Sequence, residues 1–156
     1  MKFLVILSAL VLVLAIVLTL AYQRADRETI TAAEFRFGSG YQQASLSKGV
    51  TAYKMAGHDD NPVVIIVHGA TLGSVAYQAY VPPLVAAGYR VVTYDQYGRG
   101  FSDRPADRFT IDLMRQQLFE LMDALQVEKA HLFGISLGGA VIARFAAEHG
   151  DRVHSL

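Results

Sequence analysis

The hydrophobic and polar positions divide the chain into two parts. Residues Phe3 to Tyr22 form a continuous apolar run that only Ser8 and Thr19 interrupt, and the run carries no charge. At 1.5 Å per residue a helix of this length is about 30 Å long, which matches the hydrocarbon core of a bilayer. We therefore expect a transmembrane anchor over residues 3–22, a membrane location, and a following domain outside the cytoplasm. A cleaved signal sequence, and hence secretion, is the alternative, although the run exceeds the ~7–15 apolar residues typical of one.

After this run, short apolar stretches alternate with helical patterns. Residues 23–40 are polar and end in Gly-Ser-Gly, which is typical of a linker. The unbroken β-branched run over residues 63–67 predicts a strand that is buried on both faces, as in a parallel sheet, and residues 90–94 are the next β-branched strand. The full set of strands is predicted at residues 41–46, 50–56, 63–67, 90–94, 130–133 and 153–156.

Helical patterns fill most of the intervals between the later strands. Helices are predicted at residues 77–87, at residues 111–125 behind the N-cap Thr110, and at residues 137–149. The second helix has one apolar stripe, which we expect to face the core, formed by Met114, Leu118, Leu121, Met122 and Leu125. Strands that alternate with helices predict an α/β fold over residues 41–156, with a mostly parallel sheet and helices on both faces.

Composition removes several classes of function. The 14 Lys and Arg residues balance the 14 Asp and Glu residues, so no basic surplus is present to bind a nucleic-acid backbone. The absence of cysteine excludes a disulfide framework, a cysteine-ligated zinc site and a cysteine nucleophile. The segment Gly98-Arg99-Gly100 does not fit a dinucleotide-binding loop, because Asp103 stands where the third glycine belongs. We expect neither a metal nor a cofactor.

One motif carries candidate chemistry. Gly134-Ile135-Ser136-Leu137-Gly138 lies between a predicted strand and a predicted helix, and G-x-S-x-G in that setting indicates a nucleophile elbow. The tight turn strains Ser136, projects its side chain above the sheet, and leaves no room for a Cβ at Gly134 or Gly138. The helix start offers the N–H of Leu137 to a developing oxyanion. The alternative is a glycine-rich helix start in which Ser136 is only an N-cap.

Two further motifs follow the two most apolar strands. His68-Gly69-Ala70 comes after residues 63–67, and Asp95-x-x-Gly98-x-Gly100-x-Ser102 comes after residues 90–94. With these three motifs in this order and spacing, the chain over about residues 41–156 resembles the N-terminal part of the α/β-hydrolase superfamily, in its serine-nucleophile branch.

The resemblance implies a role for each motif residue. Ser136 would be the nucleophile, and the backbone N–H groups of Ala70 and Leu137 would form the oxyanion hole. His68, with Gly69, would shape the oxyanion loop and would not be the catalytic base. The second motif would form a structural turn, in which Asp95 is not the triad acid; its members are Asp95, Gly98, Gly100 and Ser102.

A serine nucleophile also implies a substrate class. It argues against the dehalogenase and epoxide-hydrolase members, which alkylate a carboxylate, and favours small-molecule acyl substrates such as esters, lactones, thioesters or amides.

The superfamily's triad runs in the order serine, acid, histidine. Only His149, Asp151 and His154 follow Ser136 as candidates, and the predicted helix puts His149 about 20 Å from the serine. We therefore expect the N-terminal portion of a longer serine hydrolase, inactive as a 156-residue chain. The alternative is a non-catalytic, hydrolase-like, membrane-tethered binding module or an inactive fragment.

Overall fold

The computed structural model describes residues 2–27 and 40–156. The chain divides into two compact units, Met1–Phe35 and Arg36–Leu156. Most of the predicted linker over residues 23–40 lies outside the described residues. In the first unit, helix α1 runs over Lys2–Arg27, and its side chains are described from Ser8 to Arg24.

The predicted membrane anchor over residues 3–22 is wrong. Among the residues that the structure describes, no helix is both long enough and apolar enough to cross a bilayer. A span needs about 20 predominantly apolar residues, or about 30 Å of helix. Three further predictions depended on this anchor and are wrong for the same reason. They are the membrane part of the fold class, the membrane location and the bilayer as a partner.

The second unit is built on one six-stranded mixed sheet. Its strands are β1 (Gln42–Leu46), β2 (Gly49–Ala56), β3 (Val63–Val67), β4 (Arg90–Tyr94), β5 (Ala130–Gly134) and β6 (Val153–Ser155). They lie in the order β1-β2-β4-β3-β5-β6. The pairs β1–β2 and β2–β4 are antiparallel, whereas β3 pairs in parallel with both β4 and β5, and β5 with β6. The strand predicted to be buried on both faces, β3, and its neighbour β4 are therefore central.

Helices cover both faces of this sheet. They are α2 (Val81–Ala86), α3 (Ile111–Ala124) and α4 (Leu137–Glu148), with 3-10 turns at Ser74–Tyr80 and Gly150–Arg152. Side chains alternate along β3, so Ile65 and Val67 join α3 and α4 in the larger core while Val64 and Ile66 meet α2 on the opposite face. Burial of β3 on both faces, as predicted from its unbroken β-branched run, is confirmed.

The parallel strands also determine where the loops lie. The carboxyl ends of β3, β4 and β5 share one edge of the sheet, and the segments that follow them begin at His68, Asp95 and Ile135. In open α/β sheets this edge is where ligands bind. The three motifs found in the sequence are therefore brought to one place by the strand order.

Candidate active site

Ser136 stands at a sharp turn between β5 and α4. Its backbone has φ 54° and ψ −115°, a conformation that a residue with a side chain adopts only under strain. The side chain is exposed, and its hydroxyl forms no hydrogen bond within the part of the chain that the structure describes. The alternative in which Ser136 caps the helix through its hydroxyl is thus not what the geometry shows.

Two glycines make this turn possible. A Cβ on Gly138 would overlap the carbonyl group of Val67 in the neighbouring strand. A Cβ on Gly134 would lie 2.7 Å from the carbonyl oxygen of Gly138 and 2.7 Å from Cδ1 of Ile142. The strand and the helix therefore approach each other more closely than any side chain allows, and this approach holds Ser136 at the tip.

Two backbone N–H groups near Ser136 have no hydrogen-bond acceptor among the described residues. The amide of Leu137 is the first of α4, and neither it nor the amide of Ala70 donates a hydrogen bond to any described residue. A Cβ built on Gly69 would lie 3.5 Å from the Cβ of Ser136, and Ala70 is the next residue along the chain. The assignment of Ala70 and Leu137 as a pair of oxyanion donors stays a prediction, and this placement is what it requires.

His68 is buried and hydrogen-bonded at both ring nitrogens. The N–H of Gln96 donates to Nε2 (2.8 Å), so Nε2 is unprotonated and the proton sits on Nδ1, which donates to the carbonyl oxygen of Gly69 (2.6 Å). Burial lowers the pKa of His68 below 6.5, which favours this neutral tautomer. With both nitrogens occupied, His68 has no free site for taking a proton from Ser136.

The same hydrogen bond orients the loop. In a trans peptide the C=O and the following N–H point in opposite directions. Because the carbonyl of Gly69 points inward to His68, the N–H of Ala70 points outward. His68 therefore orients the N–H of Ala70 by bonding to the backbone of the loop.

Asp95 holds two loops at the same edge. Its carboxylate is buried and accepts backbone N–H groups from Ser74 (2.6 Å) and Phe101 (2.9 Å). Gly100 has a positive φ of 48°, and a Cβ there would overlap the Asp95 carboxylate. The carboxylate is thus used up in fixing the loops, and it is not available to a histidine.

The rest of the second motif completes the turn. The hydroxyl of Ser102 donates to the carbonyl oxygen of Asp95 and accepts the N–H of Ala52 (3.0 Å). The N–H of Gly98, where φ is 78°, donates to the carbonyl oxygen of Asp103 (2.9 Å). The bond from Ala52 connects the loop after β4 to strand β2, and the other two bonds lie within the loop. None of the three involves Ser136.

No candidate base reaches Ser136 among the described residues. The ring of His149 packs on Phe119 and Phe145 at the far end of α4, with ring centroids 4.6 and 5.1 Å away. His131 and His154 lie on β5 and β6 with their ring centroids 5.0 Å apart, and Nδ1 of His131 contacts the hydroxyl of Ser155 (2.8 Å). These placements agree with the expectation that the later histidines do not reach the serine, which stays a prediction.

Other ligand sites do not compete with this edge. In the described ranges no three acidic or histidine side chains are grouped so as to hold a metal ion. A groove between the end of α3, the segment before β5 and the 3-10 turn Gly150–Arg152 lies at the opposite end of the sheet. It is lined by Met122, Asp123, Gln126, Val127, Glu128 and Arg152. The guanidinium of Arg152 bonds there to Asp123 and to the carbonyl oxygens of Val127 and Glu128, so its charge is already used.

Four polar residues with no role predicted from the sequence support the site. Gln96 bonds both backbone and side chain to His68, and Gln117 of α3 accepts the N–H of Tyr97. Ser74 binds Asp95, and Arg99 binds the carbonyl oxygen of Ala70. Their only signal in the sequence is position: three of them lie within six residues of the motif residues His68 and Asp95.

A model of the family described as alpha/beta hydrolase fold matches residues 62–156. An AB hydrolase superfamily protein of Bacillus subtilis is 33% identical over 70% of this chain and 40% of its own length. A haloalkane dehalogenase of Mycobacterium marinum is 34% identical over 64% of this chain and 34% of its own length. The crystal structure of an enol-lactonase from Burkholderia xenovorans superimposes with a TM-score of 0.69 at 26% identity, covering 72% of this chain and 44% of that one.

These comparisons bear on two earlier expectations. The chain spans less than half the length of each of these relatives. A relative named as a haloalkane dehalogenase matches about as well as the others, so overall similarity does not separate dehalogenase chemistry from acyl chemistry. That distinction has to come from the residues of the site.

Proposed function

The chain belongs to the α/β-hydrolase fold family, and from this premise we propose that the full-length protein is a serine hydrolase acting on a small carboxylic ester or a related acyl compound. The observation that carries the proposal is the backbone of Ser136, which is held at φ 54° and ψ −115° with its hydroxyl exposed. Strain of this kind is maintained where a nucleophile has to project from the sheet.

The proposed reaction follows from the groups around Ser136. The serine oxygen attacks the carbonyl carbon while its proton passes to a base, and the carbonyl oxygen becomes an oxyanion. The N–H groups of Ala70 and Leu137 are the candidate donors to that oxyanion, because neither donates a hydrogen bond to another described residue. The leaving group departs with a proton, and water then releases the acid from the acyl-serine. The base and its acid partner come from outside the described residues.

A hydroxyl nucleophile also favours acyl over haloalkane chemistry. Attack by a carboxylate on a haloalkane carbon gives an ester that water can open at its carbonyl, whereas a serine hydroxyl would give an ether, which water does not cleave. Position 136 is a serine. We therefore expect full-length protein to hydrolyse p-nitrophenyl butyrate and to release no chloride from 1-chlorobutane.

A fluorophosphonate probe tests the proposal on full-length protein. The probe should label wild-type protein at Ser136, and Ser136→Ala should abolish the label. The matched control is Ser45→Ala, which removes an exposed hydroxyl from strand β1 and should leave labelling unchanged. Failure of folded wild-type protein to react would refute the proposal and favour a non-catalytic binding module.

A further inference from the structure

Ala70 lies between two peptide groups, and each is held by the turn after β4. The carbonyl oxygen of Gly69 accepts from His68, which itself accepts the N–H of Gln96. The carbonyl oxygen of Ala70 accepts from Nε of Arg99 at 2.9 Å. One peptide group carries the N–H of Ala70, and the other fixes the backbone on its far side.

From this arrangement we propose that Arg99 is a positioning residue for the oxyanion hole: by holding the carbonyl of Ala70 it keeps the N–H of Ala70 directed at the oxygen that develops on the Ser136 adduct. The inference rests on the proposed function. Arg99 touches neither Ser136 nor the oxyanion, and it acts through the backbone of Ala70.

Arg99 is itself well fixed. Its backbone N–H donates to the carbonyl oxygen of Gln96 (3.0 Å), and Nη1 donates to the carbonyl oxygen of Tyr97 (3.2 Å). Its guanidinium lies over the ring of Phe109, 5.5 Å from the centroid. A planar group with a fixed fork of donors loses less freedom per hydrogen bond than a lysine would. The turn Gln96–Arg99 is therefore a rigid support for both peptide groups around Ala70.

The charge of Arg99 is used differently from that of other arginines. Among the described residues, carboxylates lie within 4.0 Å of the side chains of Arg90, Arg115, Arg144 and Arg152. Arg99 has no carboxylate within that distance in the described part of the chain, and its side-chain hydrogen bonds there go to backbone carbonyls. No competing ion pair within the described residues therefore draws the guanidinium away from the backbone around Ala70.

The positioning of the Ala70 N–H matters mainly once the oxyanion has formed. Loss of an interaction made only in the transition state lowers kcat and leaves KM nearly unchanged. Removing an oxyanion donor outright costs about 10²–10³ in kcat, so removing a support of that donor should cost less, roughly 10-fold. Arg99→Lys keeps the charge but not the fork, and should fall between wild type and Arg99→Gln.

The test compares full-length wild type, Arg99→Gln, Arg99→Lys and the control Arg108→Gln, whose side chain is exposed. Rates are measured on p-nitrophenyl butyrate and on the corresponding thionoester. Sulfur is a weaker hydrogen-bond acceptor than oxygen, so a well-aimed donor favours the ester. Arg99→Gln should lower kcat about 10-fold on the ester, leave KM within about 2-fold, and reduce the ester-to-thionoester rate ratio. Arg108→Gln should match wild type in all three.

Amide hydrogen exchange on the same proteins gives a readout that needs no activity. Arg99→Gln should speed exchange in the segment Gly69–Leu72 and leave the core of β3 unchanged. Unchanged kcat with unchanged exchange overturns the proposal, as does a loss of activity with an unaltered ester-to-thionoester ratio, which would mean general damage. If wild-type protein neither turns over the ester nor reacts at Ser136, the proposed function itself is refuted, a result distinct from activity in wild type that Arg99→Gln retains.

Discussion

At the level of single residues, the conformation of Ser136 depends on glycines that differ sharply in tolerance. Gly138→Ala would drive a methyl group into the Val67 carbonyl, which is backbone and cannot move aside. We expect it to lower the free energy of unfolding by at least ~1–3 kcal/mol, the usual cost of overpacking.

Gly139→Ala is the matched control in the same helix turn. A Cβ at Gly139 meets only the carbonyl oxygen of Gly134, at an ordinary 3.8 Å. Replacing a helical glycine with alanine stabilises by about 0.5–1 kcal/mol. Urea denaturation of the two full-length variants should thus shift in opposite directions, and equal shifts would contradict the close strand–helix approach.

His68 makes a second residue-scale prediction, which concerns pH. Burial lowers the pKa of His68 in the folded state below 6.5, so the unfolded chain takes up a proton near pH 6.5 while the folded one does not. The stabilising contribution of neutral His68 is fully present above about pH 6.5 and decreases as the pH falls below it, by at most ~1.4 kcal/mol per pH unit.

The variant His68→Gln should remove this slope between pH 5 and 6.5. It should also lower the free energy of unfolding by roughly 1–3 kcal/mol at pH 7.5, because the N–H of Gln96 loses a buried acceptor. The control is His58→Gln, since the side chain of His58 is 77% exposed. A stability profile with the same slope in wild type and His68→Gln would show that His68 titrates normally.

At the level of elements, strands were more predictable than short helices. Strands β3 and β4 have the bounds predicted from their unbroken β-branched runs, and the other strands differ by one residue at an end. The helix predicted over residues 77–87 is instead a 3-10 turn, Ser74–Tyr80, followed by α2. Pro82 and Pro83 lack an N–H and are tolerated only at a helix start, so they force a new helix to begin there.

Long-range polar packing could not be predicted from the sequence. The predicted apolar stripe of α3 faces the core, with its last member, Leu125, partly buried. Gln117 is fully buried on the same helix, although its residue type suggests solvent exposure. Its side chain is hydrogen-bonded to three groups distant in sequence: the N–H of Tyr97, the hydroxyl of Thr51 and the carbonyl oxygen of Asp95. No local sequence pattern reveals these partners.

Gln117 therefore makes the element-scale prediction. Gln117→Leu keeps a similar volume but leaves the N–H of Tyr97 without its acceptor, so it should lower the free energy of unfolding by about 1–3 kcal/mol. The loop after β4 should loosen with it, which accelerated hydrogen exchange over Gln96–Arg99 would show. Gln116→Leu, one position away and bonded to the exposed Ser47 and the half-buried Glu120, is the control. Equal effects of the two substitutions would show that Gln117 does not brace the loop.

At the level of the whole molecule, three sequence-distant loops meet because β4, β3 and β5 are parallel neighbours. The sequence was sufficient to place Ser136, His68 and the N–H groups of Ala70 and Leu137 at this edge, since each lies in a segment that follows a predicted strand. Their support by Gln96, Arg99 and Gln117 depends on the folded chain. Under the proposed function, the three loops form a preorganised half of a site, to which a base has to be added.

That division of the site predicts different behaviour for the 156-residue chain and the full-length protein. Serine at its free pKa is a weak nucleophile and needs an adjacent base. Within the described residues, the ring of His68 is occupied at both nitrogens, Asp95 is bound to two backbone amides, and His149 packs on aromatic rings. We expect the isolated 156-residue chain to remain unlabelled by a fluorophosphonate that labels full-length protein at Ser136, with circular dichroism establishing that both are folded. Robust labelling of the folded 156-residue chain, lost in Ser136→Ala, would show that these residues already contain a base for Ser136.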